Sequence, residues 1–318
     1  MNYASTKPQG QVVKRPPQWK RTLRKTLADW RLYVLLAPAV IYILLFNYQP
    51  MYGVQIAFRK FRPSKGIWGS AWVGMDYFIK FFKHPLFWTL IWNTMRISLY
   101  SMATFPLPII LALLINELDS EKFKKTVQMI TYAPHFLSTV VVCSMLTLFC
   151  SKDNGLFNHI IAFFGGQRTS LLENPALFTP LYVWSGVWQG IGWSSILYIA
   201  ALSGVSPELI EAARIDGANR AQIVMHVNIP TIMPTIIITL IMNCGSILGV
   251  GFEKVYLLQN DLNLAASNII ATYTYELGLL QAQYSQSAAV GLFNTIVNIT
   301  LLLIVNAIAK RVSDIGLF

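Results

Sequence analysis

The stretch that decides the fold reads Ser206-Pro-Glu-Leu-Ile-Glu-Ala-Ala-Arg-Ile-Asp-Gly-Ala-Asn-Arg-Ala-Gln-Ile-Val-Met-His-Val-Asn-Ile-Pro230, a polar segment between two apolar ones. Ser206 is a strong N-cap residue and Pro207 suits the first helical position. Glu208 and Glu211 stand where the helix dipole favours acids. Leu209, Ala212 and Ala213 recur at helical spacing and make a narrow apolar ridge of mostly small side chains. Asp216-Gly217 stops this helix, because glycine takes the left-handed conformation that a C-cap requires. A second short helical pattern follows, with Ala218, Gln222 and Met225 on one side, and Pro230 and Pro234 are expected to bend the chain back into an apolar run. The product is a helix, a sharp turn and a second helix, tethered at both ends and shaped to dock as a knob into a groove on another protein.

Composition identifies the tethers. The chain has 318 residues, 54% of them hydrophobic and only 12% charged. A soluble domain carries about 25% charged residues. The reading is an all-α polytopic membrane protein. The formal charge of +11 therefore belongs at membrane surfaces and implies no nucleic-acid partner. The cysteines Cys143, Cys150 and Cys244 all fall in apolar runs. Cys143 and Cys150 share a helix face two turns apart, too far to bridge, so no disulfide framework is expected.

Six apolar runs have the length that a hydrocarbon core demands: residues 32–48, 89–116, 129–150, 178–203, 232–257 and 285–309. The first starts close to the N-terminus and is long enough to span, so it does not read as a cleavable signal peptide. Six spans put both termini on one side. Residues 1–31 are rich in Lys and Arg, Lys310-Arg311 follow the last span, and Lys122, Lys124, Lys125, Arg214 and Arg220 fall on that same side. The positive-inside rule makes this side cytoplasmic, in a bacterial cytoplasmic membrane. The loop 51–88, with Arg59, Lys60, Arg62, Lys65, Lys80 and Lys83, argues the other way, but the denser N-terminal charge outweighs it. That loop also carries Trp68, Trp72 and Trp88, as an interfacial, partly folded cap would. Trp19, Leu23, Leu27 and Trp30 recur at helical spacing among basic residues, giving the tail 1–31 the pattern of a short helix on an anionic leaflet. Gly155-Leu-Phe-Asn-His-Ile-Ile-Ala-Phe-Phe is too short to span and reads as an interfacial helix. Residues 32–318 are the transmembrane domain, with the knob at about 204–231.

Glu211-Ala212-Ala213 with Asp216-Gly217-Ala218, followed by Ile229-Pro230 and Pro234, resembles the EAA loop of binding-protein-dependent ABC importer permeases. The resemblance implies a type I importer permease fold in which this loop inserts into an ATPase subunit and transmits its closure. It further implies a second permease subunit, an ATPase dimer that uses ATP and magnesium, and an extracytoplasmic solute-binding protein. Two positions depart from the pattern: Val224 stands where the family often has Phe, and Asn228 where a small or apolar residue is usual. Neither disturbs the helix-glycine-helix logic. The stretches Gly249-Val-Gly-Phe-Glu-Lys-Val-Tyr-Leu-Leu-Gln259, Thr272-Tyr-Thr-Tyr275, Tyr284-Ser-Gln-Ser-Ala-Ala-Val-Gly-Leu-Phe-Asn294 and the tail from Lys310 are similar to the carbohydrate-importing branch, within it the oligosaccharide or polysaccharide permeases. The same machine carrying a peptide or amino acid is the nearest rival.

No catalytic constellation is visible. His84, His135, His159 and His226 lack metal-ligand spacing, and no phosphate-binding G-x-x-x-x-G-K-[ST] loop occurs, so ATP has to be used by a separate chain. An integral-membrane enzyme is thereby disfavoured. A stand-alone channel or secondary transporter would have no need of a docking loop. Polar side chains inside spans are costly unless they face protein or a water-filled path. Asn93, Arg96, Gln189, Asn243, Ser246, Glu253 and Asn294 are such residues. Asn243, Ser246 and Glu253 fall at helical spacing on one face of the fifth span and are expected to line a sugar path. Trp184, Trp188 and Trp193 offer flat faces for sugar stacking, Trp188 being the one assigned to the path.

Overall fold

A computed structural model describes residues 30–313. The basic tail with Trp19, Leu23 and Leu27, and the last residues of the chain, lie outside the described residues. The chain divides into two compact units, Met1–Gln55 and Ile56–Phe318. In the first, α1 (Trp30–Ile43) continues through a π-turn, Leu44–Tyr48, ahead of Pro50.

The second unit opens with a two-stranded antiparallel hairpin, β1 (Arg59–Arg62) and β2 (Gly66–Trp72), pairing Arg59 with Trp72 and Arg62 with Gly66. The rest of the described chain is helical, as expected; within it the loop read as a partly folded cap, with Trp68 and Trp72, is a folded hairpin. Its turn, Pro63-Ser-Lys-Gly66, uses the positive φ of Gly66. Ser285 fastens it, donating from Oγ to the Arg59 carbonyl (2.7 Å) and accepting from the Phe61 amide (2.9 Å). The helices then follow: α2 (Asp76–Phe82), α3 (Phe87–Ala103), α4 (Pro106–Asn116), α5 (Glu121–Tyr132), α6 (Thr139–Cys150), α7 (Leu156–Phe163) and α8 (Pro175–Leu202). After them come α9 (Pro207–Ile215), α10 (Arg220–Ile223), α11 (Ile229–Gly245), α12 (Phe252–Leu258), α13 (Leu264–Ser267), α14 (Ile270–Tyr275) and α15 (Tyr284–Ser313).

Four helical stretches are long and apolar enough to cross a membrane, or up to six if two bent pairs each count as one span. Two expected spans are broken. The third, read over 129–150, is α5 and α6 set at 96°, because Pro134 lies between them in a 3-10 turn and Ser138 caps a new helix through its hydroxyl. The fifth, read over 232–257, ends at Gly245, with a turn before α12. Pro230 and Pro234 do not interrupt the chain here; Arg220–Gly245 is one continuous helix. A π-turn over Val224–Asn228 lets the Ile229 amide reach the Val224 carbonyl. It also relieves the contact that Pro230 would otherwise make with the preceding turn.

Close packing holds the spans. A core of Phe178, Ile97, Leu146, Val255 and Ile269 joins α3, α6, α8 and α12. A second around Phe81, with rings of Phe87 (5.1 Å) and Phe293 (5.5 Å) against it, joins α2, α3 and α15. Gly192 lets α8 cross the end of α5: a Cβ there would stand 2.1 Å from the Thr131 carbonyl oxygen.

The connecting segments are held by buried asparagines. Asn263, fully buried, donates to the carbonyls of Leu172 and Leu258 (both 3.0 Å) and accepts from the Asn260 amide (3.0 Å) and the Ser267 hydroxyl (2.8 Å). Asn158 donates to Ser151 and Thr169 and accepts from the Thr169 amide. Asn93, in α3, donates to the carbonyls of Ala265 and Asn268 (both 2.9 Å). The loops around 151–174 and 258–269, expected on one side, are thus bonded together. Replacing Asn263 by Leu strands two buried carbonyls and an amide. The expected loss is about 2–4 kcal/mol, read as a lower thermal midpoint of the detergent-solubilised protein. An unchanged midpoint would mean that the amide is dispensable to the fold.

Candidate functional site

The knob is built by its caps. Ser206 (φ −64°, ψ 126°) occupies the N-cap of α9 and Pro207 its first turn, yet the serine side chain makes no capping hydrogen bond. At the other end Gly217 sits at φ +82°. The Ala218 amide reaches back to the Ala213 carbonyl (2.9 Å) and the Gly217 amide to Arg214 (3.1 Å), a paired closure that satisfies the last carbonyls of the helix. No atom lies within 4 Å of a Cβ placed on Gly217, so only the backbone conformation calls for glycine here. α10 then starts with a reciprocal box absent from the sequence reading. The Asn219 side chain accepts from the Gln222 amide (2.9 Å), and Gln222 Oε1 accepts from the Asn219 amide (2.8 Å). The Asn-x-x-Gln spacing that signals it was present in the sequence.

α9 is turned 77° from α8. Ile210, Val224 and Val227 face inward, against a core of Leu113, Tyr198, Leu202, Val205 and Ile232. Arg220 bonds Asp119 (3.0 Å), beside the turn between α4 and α5. Both side chains are largely exposed, so this pair aligns the two segments and adds little stability, at most about 1 kcal/mol. Of the residues assigned to coupling, Glu211, Ala212, Asp216 and Gly217 are exposed, and Ala213 and Ala218 half-buried. Around them Leu209 (56% exposed), Met225 (63%) and Ile215 (86%) are left out of the core.

The knob's two tethers lead to one cavity of about 690 Å³, walled by α3, α4, α8, the end of α11 and the start of α12. Asn243 and Ser246 line it. Asn243 Nδ2 donates to the Thr239 carbonyl (3.0 Å) and Ser246 Oγ to the Asn243 carbonyl (3.2 Å). Gln189 and Trp193 also line it, with the Trp193 ring stacked 4.3 Å from His135. The expectation of one polar face does not hold. α11 stops at Gly245, Ser246 caps it, and the chain turns through Gly249 and Gly251 before α12. The Leu248 amide in this turn donates to Asn298 of α15 (3.0 Å). Non-helical backbone at membrane depth is tolerated where protein satisfies it in this way or where it lines a cavity. Glu253 consequently points away, exposed, and is not among the lining residues; Trp188 is also outside the lining. Lys254, one residue on, is inside it. Sequence reading missed Lys254 because a helix carried straight through residue 253 directs that face elsewhere. Asn93 binds loop backbone instead of the cavity, and Trp184 donates to the Tyr100 hydroxyl (3.0 Å).

Residues 104–314 match the family described as "Binding-protein-dependent transport system inner membrane component". The polygalacturonan/rhamnogalacturonan transport system permease protein YteP of Bacillus subtilis is 42% identical over 96% of each chain. Protein LplB of the same organism is 43% identical over 94% of each. A crystal structure of a bacterial alginate ABC transporter, in complex with an alginate pentasaccharide-bound periplasmic protein, contains a chain 37% identical to this one. It superposes with a TM-score of 0.86, over 93% of this chain and 100% of that one. The chain is a multi-pass membrane protein and belongs to the family of binding-protein-dependent transport system inner membrane components.

Proposed function

We propose that this chain forms half of the carbohydrate path of an ATP-driven importer in a bacterial cytoplasmic membrane. A second permease subunit completes the path, an extracytoplasmic solute-binding protein delivers an oligosaccharide or polysaccharide, and an ATPase dimer docks on the knob. ATP and magnesium are held by that dimer; this chain performs transport, not catalysis. The relatives named above, two of them transporters of sugar polymers, favour a carbohydrate over the peptide or amino acid that the same machine accommodates elsewhere.

The observation that carries the mechanism is the shared attachment of knob and cavity. α8 runs from Tyr182 and Trp193 in the cavity wall to the start of the knob, and the continuous helix Arg220–Gly245 runs from the knob's end back to Asn243. At 1.5 Å per residue, that 26-residue helix is about 39 Å long. A displacement of α9 is therefore delivered to two cavity walls at once. Glu211, Ala212, Ala213, Asp216, Gly217 and Ala218 form the coupling surface, with Leu209, Ile215 and Met225 supplying apolar contact to the ATPase. Asn243 and Ser246 meet sugar hydroxyls as donors and acceptors, each weakly enough to let cargo leave. Both termini and the knob face the cytoplasm.

Gly217→Val forces a β-branched residue into the left-handed region at a cost of roughly 1–3 kcal/mol and redirects α10. Glu211→Lys reverses the charge on the exposed knob face. Both variants are expected to insert normally and to lose most ATPase attachment or coupled uptake. Normal substrate-stimulated ATP hydrolysis in both would remove the docking role. For orientation, single cysteines at Ser64 and Ser120, in a chain lacking Cys143, Cys150 and Cys244, should react oppositely with a membrane-impermeant maleimide. Labelling at Ser64 from outside intact cells is expected; labelling at Ser120 instead inverts the topology.

A further inference from the structure

We propose that Lys254 makes the cavity selective for anionic sugars, those bearing a carboxylate such as uronic acids. This rests on the carbohydrate reading above and goes beyond it to the cargo's charge. Among the described residues, Lys254 is the sole charged side chain lining the cavity. Its Nζ donates to the Tyr182 carbonyl (2.9 Å) and lies 4.9 Å from the centre of the Tyr182 ring. No carboxylate of the described residues pairs with it. An ammonium has three donors; one carbonyl and one ring face leave a further donor on a side chain that lines the cavity.

Gly186 of α8 leaves room for that head: a Cβ there would stand 3.3 Å from Nζ. The neighbouring acid, Glu253, is exposed and outside the lining, so the cavity keeps an uncompensated positive charge. An unpaired cation in a low-dielectric wall is costly to hold. A passing carboxylate offsets that cost by a charge-assisted hydrogen bond, whereas a neutral sugar offers only hydroxyls. Trp193, Asn243 and Ser246 remain available to the sugar ring and its hydroxyls, so charge recognition adds to the general sugar contacts and does not replace them.

The test is uptake by cells carrying the complete importer, with tetragalacturonate and its fully methyl-esterified form as probes. Lys254→Gln should lower tetragalacturonate uptake about tenfold and leave uptake of the ester within about twofold, while Lys254→Arg keeps most of the tetragalacturonate rate. If Lys254→Gln leaves tetragalacturonate uptake unchanged, or lowers both probes alike, the charge-selective role is overturned. Wild-type uptake of the ester and other neutral oligosaccharides but not of tetragalacturonate overturns the anionic assignment and leaves the carbohydrate reading intact. Failure of the wild type to take up any of these sugars overturns both.

Discussion

Backbone polar groups away from water have to be paired, and in this molecule buried and half-buried asparagine side chains do much of that pairing where helices stop. A carboxamide both donates and accepts, so a single residue can close two or three loop groups without introducing charge. Asn263 ties the segment before α13 to the 172 region, Asn158 closes the loop around α7, and Asn298 reaches the turn after α11. Take these amides away and the breaks in the helices leave unpaired groups costing about 1–3 kcal/mol each. The helices can be broken where the cavity requires it because these side chains complete the backbone.

The knob solves the same problem by local means. α9 has nine residues, too short to persist alone in water, and α10 is the first turn of the continuous helix Arg220–Gly245. Their ends are closed by the Gly217 turn and by the Asn219–Gln222 box, and their inner faces rest on the core around Leu202 and Ile232. The element is therefore fixed relative to the spans while its outer apolar side chains stay uncovered.

The sequence was most legible where pattern and punctuation agree. Gly217 after a run of helix formers, the long apolar stretch of α15 and the short amphipathic run of α7 all declare themselves. Legibility failed where composition hid punctuation. The run 129–150 is largely apolar, and its length outweighed Pro134 and the Ser138 cap. In 232–257 the apolar length outweighed the glycines at 245, 249 and 251, around which the helix ends. That misreading carried Glu253 into the expected path and left Lys254 out. The hairpin 59–72 was obscured because Arg and Lys alternate with aromatic residues there, which resembles a charged loop until the two strands are paired. Asn158 and Asn263 gave no sign at all, since an asparagine in a short helix or a loop is ordinary until its partners are known.

The π-turn at Val224–Asn228 amounts to one surplus residue in an otherwise regular coil. Each residue of an α-helix advances the direction of its side chain by about 100°. The bearing of Asn219 and Met225 about the helix axis, relative to that of Asn243, is therefore fixed by a count of one. A chain shortened by one residue there would lose one side chain of the second helix but keep Glu211 to Ala218 and every group of the cavity wall, yet present the first set to its surroundings turned by more than a quarter of a revolution.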